Sequence, residues 1–258
     1  MTDSYYRSLA PGRFESTIHA QGAWNAEEQH MAPVSGLMTQ CLLDHEPRPG
    51  MQLARISFEI LGMIPGGKFA VETRTVRPGR TIELLEAEMT VEGRPIIQAR
   101  AWRLAAGNTA DVAAVEDSPM PGPDEAGPFD GMTQWPGGYI ESLDFRVVPG
   151  HRPGRGQVWL RTPYAMLEDT SSPELVRLVG MADAANGIAT RVPPGPGSWM
   201  FPNVDLQLHF HRMPAGEWLG LDTRVTFGAN GVGLTSSVLH DEAGPFGRSE
   251  QILTLRKL

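Results

Sequence analysis

Asp183 lies four residues after Val179, seven after Val176 and eight after Leu175, so on a helix its carboxylate shares the stripe those apolar side chains make. A carboxylate on a core-facing stripe costs free energy unless it is paired or hydrogen-bonded, and an acid kept in such a place is a candidate base. The alternative is that Asp183 stands close enough to the helix end to reach water or cap a turn. Gln251 is the second polar residue in apolar company. Period-two alternation in the closing strand groups Ser249, Gln251, Leu253 and Leu255 on one face, against Glu250, Ile252, Thr254 and Arg256 on the other. The leucine face should meet the helix, and a buried amide there can hold a water or a carboxylate. A glutamine satisfied by backbone at a strand edge is the competing reading. Asn203 precedes the strand Val204 to Phe210, whose polar face carries Asn203, Asp205, Gln207, His209 and His211. That face reads as solvated, and only Asn203, at the start of the strand, is free to turn toward a site.

Other chemistry finds less support. His209 and His211 share a strand face, but spacing places no third metal ligand, so no metal is expected. Cys41 sits on an apolar stripe with no basic neighbour to activate its thiol. The glycine-rich Gly228-Ala-Asn-Gly231-Val-Gly233 falls in a hairpin rather than between strand and helix, and there is no G-x-S-x-G elbow. Neither a cofactor nor a covalent serine mechanism is indicated.

The elements that must position these residues occur twice. Leu53 to Leu104 and Val204 to Arg256 overlay with single-residue slips: an alternating strand, a Pro-Gly corner, an aromatic (Phe69, Trp218), an acid-Thr-Arg triplet (Glu72-Thr-Arg74, Asp222-Thr-Arg224), then two more strands. A period this long means a duplicated domain. In the second copy polar groups replace apolar ones: Gln251 stands where the first has Ala101, and the register of Asp183 falls on Cys41 or Leu42. Each half has one helix candidate. Pro33 opens the first, with Val34, Leu37, Met38, Cys41 and Leu42 as its stripe, which only the sheet of that half is long enough to cover. Ser172 should cap the second with Pro173 at its first position, and Asn186-Gly187 should end it. Asn230-Gly231 predicts a type I′ hairpin, and Glu92-Gly93 and Asp241-Glu-Ala-Gly244 further tight turns. Prolines and glycines crowd the stretch between halves and make it an irregular connection. The expected organisation is α+β, with repeats over 1–108 and 138–258 and a linker over 109–137.

Composition narrows the partners. With 41% hydrophobic residues and a formal charge of −8, the chain is globular material without the clustered basic face a nucleic acid would need. The start Met1-Thr-Asp-Ser-Tyr-Tyr has no leader character, and no apolar run reaches the ~18 residues of a membrane span. A single cysteine excludes an intramolecular disulfide and suits a reducing compartment, so a cytoplasmic location is expected.

The run Trp199-Met-Phe-Pro-Asn-Val-Asp-Leu-Gln-Leu-His-Phe-His-Arg212, with Gly216-Glu-Trp218, Gly231-Val-Gly-Leu-Thr235, Gly244-Pro-Phe-Gly-Arg-Ser-Glu-Gln251 and Ala182-Asp183, resembles the second half of TesB-like acyl-CoA thioesterases. The likeness extends more loosely over the first half. It implies a double hot-dog fold, each half a long helix wrapped by a curved antiparallel sheet, and hydrolysis of an acyl-CoA or other acyl thioester without cofactor. It also implies that Asp183, Gln251 and Asn203 hold a water beside the thioester carbonyl, with Asp183 as base. Two residues depart from the pattern. Asn203 stands where such proteins carry threonine, and Gln29-His30-Met31-Ala32-Pro33 replaces a Gly-Gly-Gln, which leaves the oxyanion donor to the region of His30. Arg161 and Arg212 are the arginines expected to meet the anionic CoA. A hot-dog hydratase or dehydratase would want an Asp/His pair at the helix start, which the sequence does not make evident, and a silent acyl-binding protein is the non-enzymatic alternative. A homodimer of such two-repeat chains stays open.

Overall fold

The computed structural model describes residues 3–195 and 197–258, so Met1 and Thr2 of the stretch read above as leaderless lie outside the described residues. The first half runs β1 (Ser4–Ala10), β2 (Arg13–Ser16), α1 (Met31–Asp44), β3 (Met51–Ile60), β4 (Lys68–Arg77), β5 (Ile82–Val91) and β6 (Arg94–Ala105). A connecting stretch carries β7 (Gly127–Pro128). Then come α2 (Gly138–Glu141), β8 (Asp144–Val147), β9 (Arg155–Arg161), β10 (Ala165–Leu167), α3 (Glu174–Ala182) and α4 (Ala185–Ile188). The chain closes with β11 (Trp199–Met200), β12 (Asp205–Phe210), β13 (Leu219–Phe227), β14 (Val232–Asp241), β15 (Gly244–Thr254) and β16 (Arg256–Lys257).

The sequence duplication becomes a duplicated sheet. β3 and β12 pair antiparallel at its middle, and from that seam the order reads β3-β6-β5-β4-β2 one way and β12-β15-β14-β13-β9 the other. β10 leaves the second half to pair in parallel with β1 at the far end of the order, so the sheet curls back on itself. The Tyr5 hydroxyl fastens that closure, at 2.7 Å from both Thr162 Oγ1 and Ser142 Oγ. β11 and β16 form a separate ribbon. This is the α+β double hot-dog architecture that the resemblance implied. Among the described residues no helix is long and apolar enough to cross a membrane.

The helices differ from expectation at their ends and in what covers them. α1 begins at Met31, two residues before Pro33, because the His30 ring caps it: the Ala32 N–H donates to His30 Nδ1 at 3.1 Å. Ser35, Gly36 and Thr39 are buried along with the apolar stripe, since α3 packs on the side the sheet leaves open. At the crossing, Ser35 Oγ donates to Val179 O at 3.0 Å, and a Cβ on Gly36 would lie 2.9 Å from Gly180 Cα. Pro173, not Ser172, is the cap of α3, the Ser172 hydroxyl being engaged by the Met166 N–H at 2.8 Å. α3 stops at Asp183, and Asn186-Gly187 belong to the short α4 beyond the break.

The hairpin at Asn230-Gly231 is not type I′. Its loop spans the residues between Phe227 and Val232, Gly231 alone has positive φ (85°), and Gly228 N–H donates to Val232 O at 2.8 Å. The longer loop removes the demand for two left-handed residues. Glu92 and Gly93, with φ of 50° and 77°, make the turn with both central residues left-handed. The Pro/Gly-rich connection is irregular but fastened to the second half: the Trp159 indole donates to Pro121 O at 2.7 Å, Arg146 Nη1 to Pro123 O at 2.8 Å, and Met120 packs with Val148, Trp159 and Trp218.

The Gly36/Gly180 approach carries a prediction. Alanine at a helix interior normally gains about 1 kcal/mol over glycine. Here Gly36→Ala is expected to lose about 1–3 kcal/mol instead, as overpacking does, read as a lower urea midpoint. An unchanged or raised midpoint would mean that the helices have room to spare.

Candidate active site

Two amides, Gln251 on β15 and Asn203 just before β12, converge on the broken helix. Asp183 is the C-cap of α3 and its side chain is turned inward, only 5% of the residue being exposed. Gln251, on the inner face of β15 with Ser249 and Leu253, donates through Nε2 to Asp183 Oδ1 at 2.7 Å. Asn203, held next to β15 by a bridge to Leu253, donates through Nδ2 to the same Oδ1 at 2.7 Å and to Asp205 O at 2.9 Å. The three residues singled out in the sequence are therefore in one hydrogen-bonded group, and Asp183 does not cap a turn in water. Burial raises its pKa from 3.8 to about 6, the two amide bonds pulling the other way and the Asp205 charge adding to the rise. The negative end of the α3 dipole adds to the cost of charge at this position.

Both amides bind one oxygen, which leaves Asp183 Oδ2 uncommitted. His30 Nδ1 stands 3.5 Å from Oδ2. Burial lowers the His30 pKa to about 3, so the ring is neutral and the contact is no ion pair. Because Nδ1 accepts the Ala32 N–H, the proton of the neutral ring belongs on Nε2, which has no hydrogen-bond partner among the described residues. The ring packs against Tyr139, with centroids 4.4 Å apart and the planes tilted by 37°, and the Tyr139 hydroxyl is fixed on Gly180 O at 3.0 Å. The sequence did not foresee this pairing of the helix start of one half with the helix end of the other.

Asp183, Asn203 and His30 line a cavity of about 680 Å³ between the halves; Gln251 lies behind Asp183 and outside it. Its walls are mostly apolar and come from separate parts of the chain: Trp24 from the loop before α1, Ile60 at the end of β3 and Met63 beyond it, Met132 and Trp135 from the connection. Trp24 and Trp135 meet edge to face at 5.0 Å, and both stand edge-on to Phe201. Residue type and spacing alone give no sign of these aromatics, because three separate segments supply them.

Arg161 and Arg212 are not brought to this cavity. Arg161 is paired with Asp144 at 2.9 Å and lies over the Trp218 ring, at the far side of the second half. Arg212 forks onto Asp241 with contacts of 2.5 and 2.6 Å and donates to Gly244 O, which braces the β14–β15 turn. Charge marked them as candidates, but local carboxylates claim both. The arginine that does line the cavity is Arg256 on β16, beside Met200, with no ion pair among the described residues.

The raised pKa of Asp183 has a stability consequence. The folded state holds the proton more tightly than the unfolded chain, so this contribution to stability is complete below about pH 3.8 and is lost as pH rises through about 6. At pH 8 the buried charge costs up to about 3 kcal/mol. Asp183→Asn is expected to be more stable than wild type toward urea at pH 8, with the difference shrinking below pH 5. A variant equal to or weaker than wild type at pH 8 would show that the charge is not a burden on the fold.

Comparison with known proteins agrees with this architecture. Residues 20–104 match the model of an acyl-CoA thioesterase N-terminal domain and residues 114–255 that of an acyl-CoA thioesterase C-terminal domain. No curated protein matches in sequence. Among solved structures, a conserved protein of unknown function with hot-dog fold from Alicyclobacillus acidocaldarius superposes with a TM-score of 0.77 at 14% identity, covering 97% of this chain and 96% of that one. The acyl-CoA thioesterase II TesB2 from Mycobacterium marinum gives 0.68 at 18% identity, over 98% and 95% of the two chains. The TesB protein of Mycobacterium avium subspecies paratuberculosis gives 0.65 at 15%, over 97% and 95%. Since the two family models together span most of its length, the chain belongs to the acyl-CoA thioesterase family and is a thioester hydrolase.

Proposed function

We propose that the protein hydrolyses acyl-CoA by attack of a water that Asp183 deprotonates through Oδ2. The observation that carries this reading is the one-sided grip on Asp183: with Oδ1 filled by Asn203 and Gln251, only Oδ2 is left to face the cavity side. Both Asn203 N–H groups are spent on Asp183 and Asp205, so toward the cavity Asn203 offers its Oδ1, an acceptor. A water donating to Asp183 Oδ2 and Asn203 Oδ1 would turn a lone pair toward the thioester carbonyl. The water oxygen bonds to the carbonyl carbon as its proton passes to Asp183. The C–S bond then breaks, and that proton leaves on the thiolate. Gln251 acts in this scheme as a positioning residue, because it touches the carboxylate and not the cavity. His30 Nε2–H and the Met31 N–H, which at the first position of α1 has no partner among the described residues, are the donors proposed for the oxyanion. The acyl group would lie against Trp24, Trp135 and Met132, and Arg256 would meet the CoA phosphates in place of Arg161 and Arg212.

One observation favours a second reading, hydration or dehydration of an acyl thioester, since His30 and Asp183 do come together. The tautomer speaks against it. A His30 base would need its free lone pair on the unengaged nitrogen, and the Ala32 N–H leaves a proton there instead.

The test is release of free thiol from acyl-CoAs of several chain lengths. Asp183→Asn is expected to lower kcat at least about 100-fold, within the range of general-base catalysis, and Gln251→Ala to lower it less. Wild-type kcat should fall below about pH 6, where Asp183 takes up its proton. Unchanged rates in both variants would end the assignment. Loss of enoyl-thioester absorbance without thiol would support the second reading, and binding with no turnover a silent acyl-binding protein. Arg256→Ala is expected to raise KM about tenfold for acyl-CoA while leaving KM for the corresponding acyl-N-acetylcysteamine within twofold, the loss of one charge-assisted contact. An equal rise for both substrates would remove Arg256 from the nucleotide.

A further inference from the structure

The hydrogen bond from Gln251 Nε2 to Asp183 turns the amide nitrogen to the carboxylate and so leaves Oε1 on the side away from it. There Oε1 is fully buried and accepts no hydrogen bond from the described residues. Two hydroxyls in the same condition stand beside it. Thr235 is directly opposite Gln251 across β14 and β15, and Ser249 is two residues earlier on the same inner face. Both oxygens are buried without a partner. Ser249 in turn is opposite Ser237, whose hydroxyl is bonded to Thr223 at 2.7 Å. All five side chains lie within 2% of complete burial.

The first half shows what this face is like when no chemistry is asked of it. At the corresponding cross-strand pairs of β5 and β6 stand Leu85 opposite Ala101 and Ala87 opposite Ala99. The next pair on that face is the self-satisfied ion pair Glu83–Arg103, so what is particular to the second half is a strip of uncharged hydroxyls at the pairs beside its amide. Opposed residues carry their Cβ atoms about 4.5–5.5 Å apart, and a hydroxyl rotates freely to suit its acceptor. Orphaned buried polar atoms are rare in native proteins, and one ordered water with about three partners would satisfy Gln251 Oε1, Thr235 Oγ1 and Ser249 Oγ together.

We propose that Thr235 is a positioning residue for hydrolysis: its hydroxyl holds one water, shared with Ser249, that donates to Gln251 Oε1 and so keeps Nε2 turned to the Asp183 carboxylate. This rests on the reading of Asp183 as the base. Without the donor the amide is free to turn its oxygen toward the carboxylate, where two acceptors repel and the proton on Asp183 is held more tightly.

The experiment is a kcat–pH profile of the full chain for acyl-CoA hydrolysis. Thr235→Val, which keeps the shape and removes the hydroxyl, is expected to lower kcat about tenfold, to leave KM within twofold, and to move the acid limb up by about one pH unit. Thr235→Ser should restore both. In a Gln251→Ala background Thr235→Val should change nothing further, because it acts only through that amide. Should the valine variant fail to fold, Thr235→Ala serves in the same comparison with Thr235→Ser. A wild-type profile for the hydroxyl-less variant, or an equal loss in the Gln251→Ala background, would overturn the inference. If those results come while Asp183→Asn and Gln251→Ala lose activity, only the role of Thr235 falls. If Asp183→Asn and Gln251→Ala keep wild-type kcat, the base assignment falls with it.

Discussion

The site depends on the cost of stripping water from one carboxylate. Asp183 is buried at the end of α3 with two amide N–H groups on a single oxygen. Two such bonds ease the desolvation without repaying it, and the pKa settles near 6 rather than near that of an ordinary aspartate. A carboxylate in that state is ionised at neutral pH, yet is a stronger base than one in water. In the proposed mechanism its second oxygen, which has no donor among the described residues, is where that basicity is delivered. The break between α3 and α4 and the bridge of Asn203 to Leu253 bring the three groups to one point.

The duplication explains how a fold can bear this cost. The first half buries a Glu83–Arg103 ion pair but keeps the strand pairs matching Gln251 and Ser249 apolar, and it supplies the long α1, whose burial by sheet and partner helix secures the core. The second half has a shorter helix and a polar inner face. Stability and chemistry are thus unevenly shared between two copies of one design. They meet where His30 caps α1 and faces Asp183, so the site needs both halves. The neutral His30 ring fits that place, because a charged one would hold Asp183 ionised and blunt it as a base.

What the sequence disclosed followed from periodicity. The repeat, the α+β class, the helix stripe beneath Asp183 and the inward face of Gln251 all follow from spacings of 3.6 or 2 residues, and these survive folding. Helix limits were less legible: Pro33, read as opening α1, lies inside it because His30 caps the helix at Met31, and Pro173 rather than Ser172 caps α3. Arg161 and Arg212 show the limit of reading charge: which arginine stays free depends on carboxylates that folding brings alongside, and Asp144 and Asp241 claimed these two. Trp24 and Trp135 come to the cavity from segments with no local pattern, Arg256 lies on the separate β16 beyond the end of β15, and the approach of His30 to Asp183 is set by the packing of two helices far apart in the chain.

The claim beneath all of this is that Asp183 is a desolvated carboxylate poised near neutrality. The most direct measurement is the ¹³C chemical shift of its side-chain carboxyl followed through a pH titration of the folded protein, assigned by comparison with Asp183→Asn. A midpoint near 6 is the expected result. A midpoint at or below that of an aspartate in water, about 3.9, would mean that the amides more than repay the lost solvation, and would leave the site without its base.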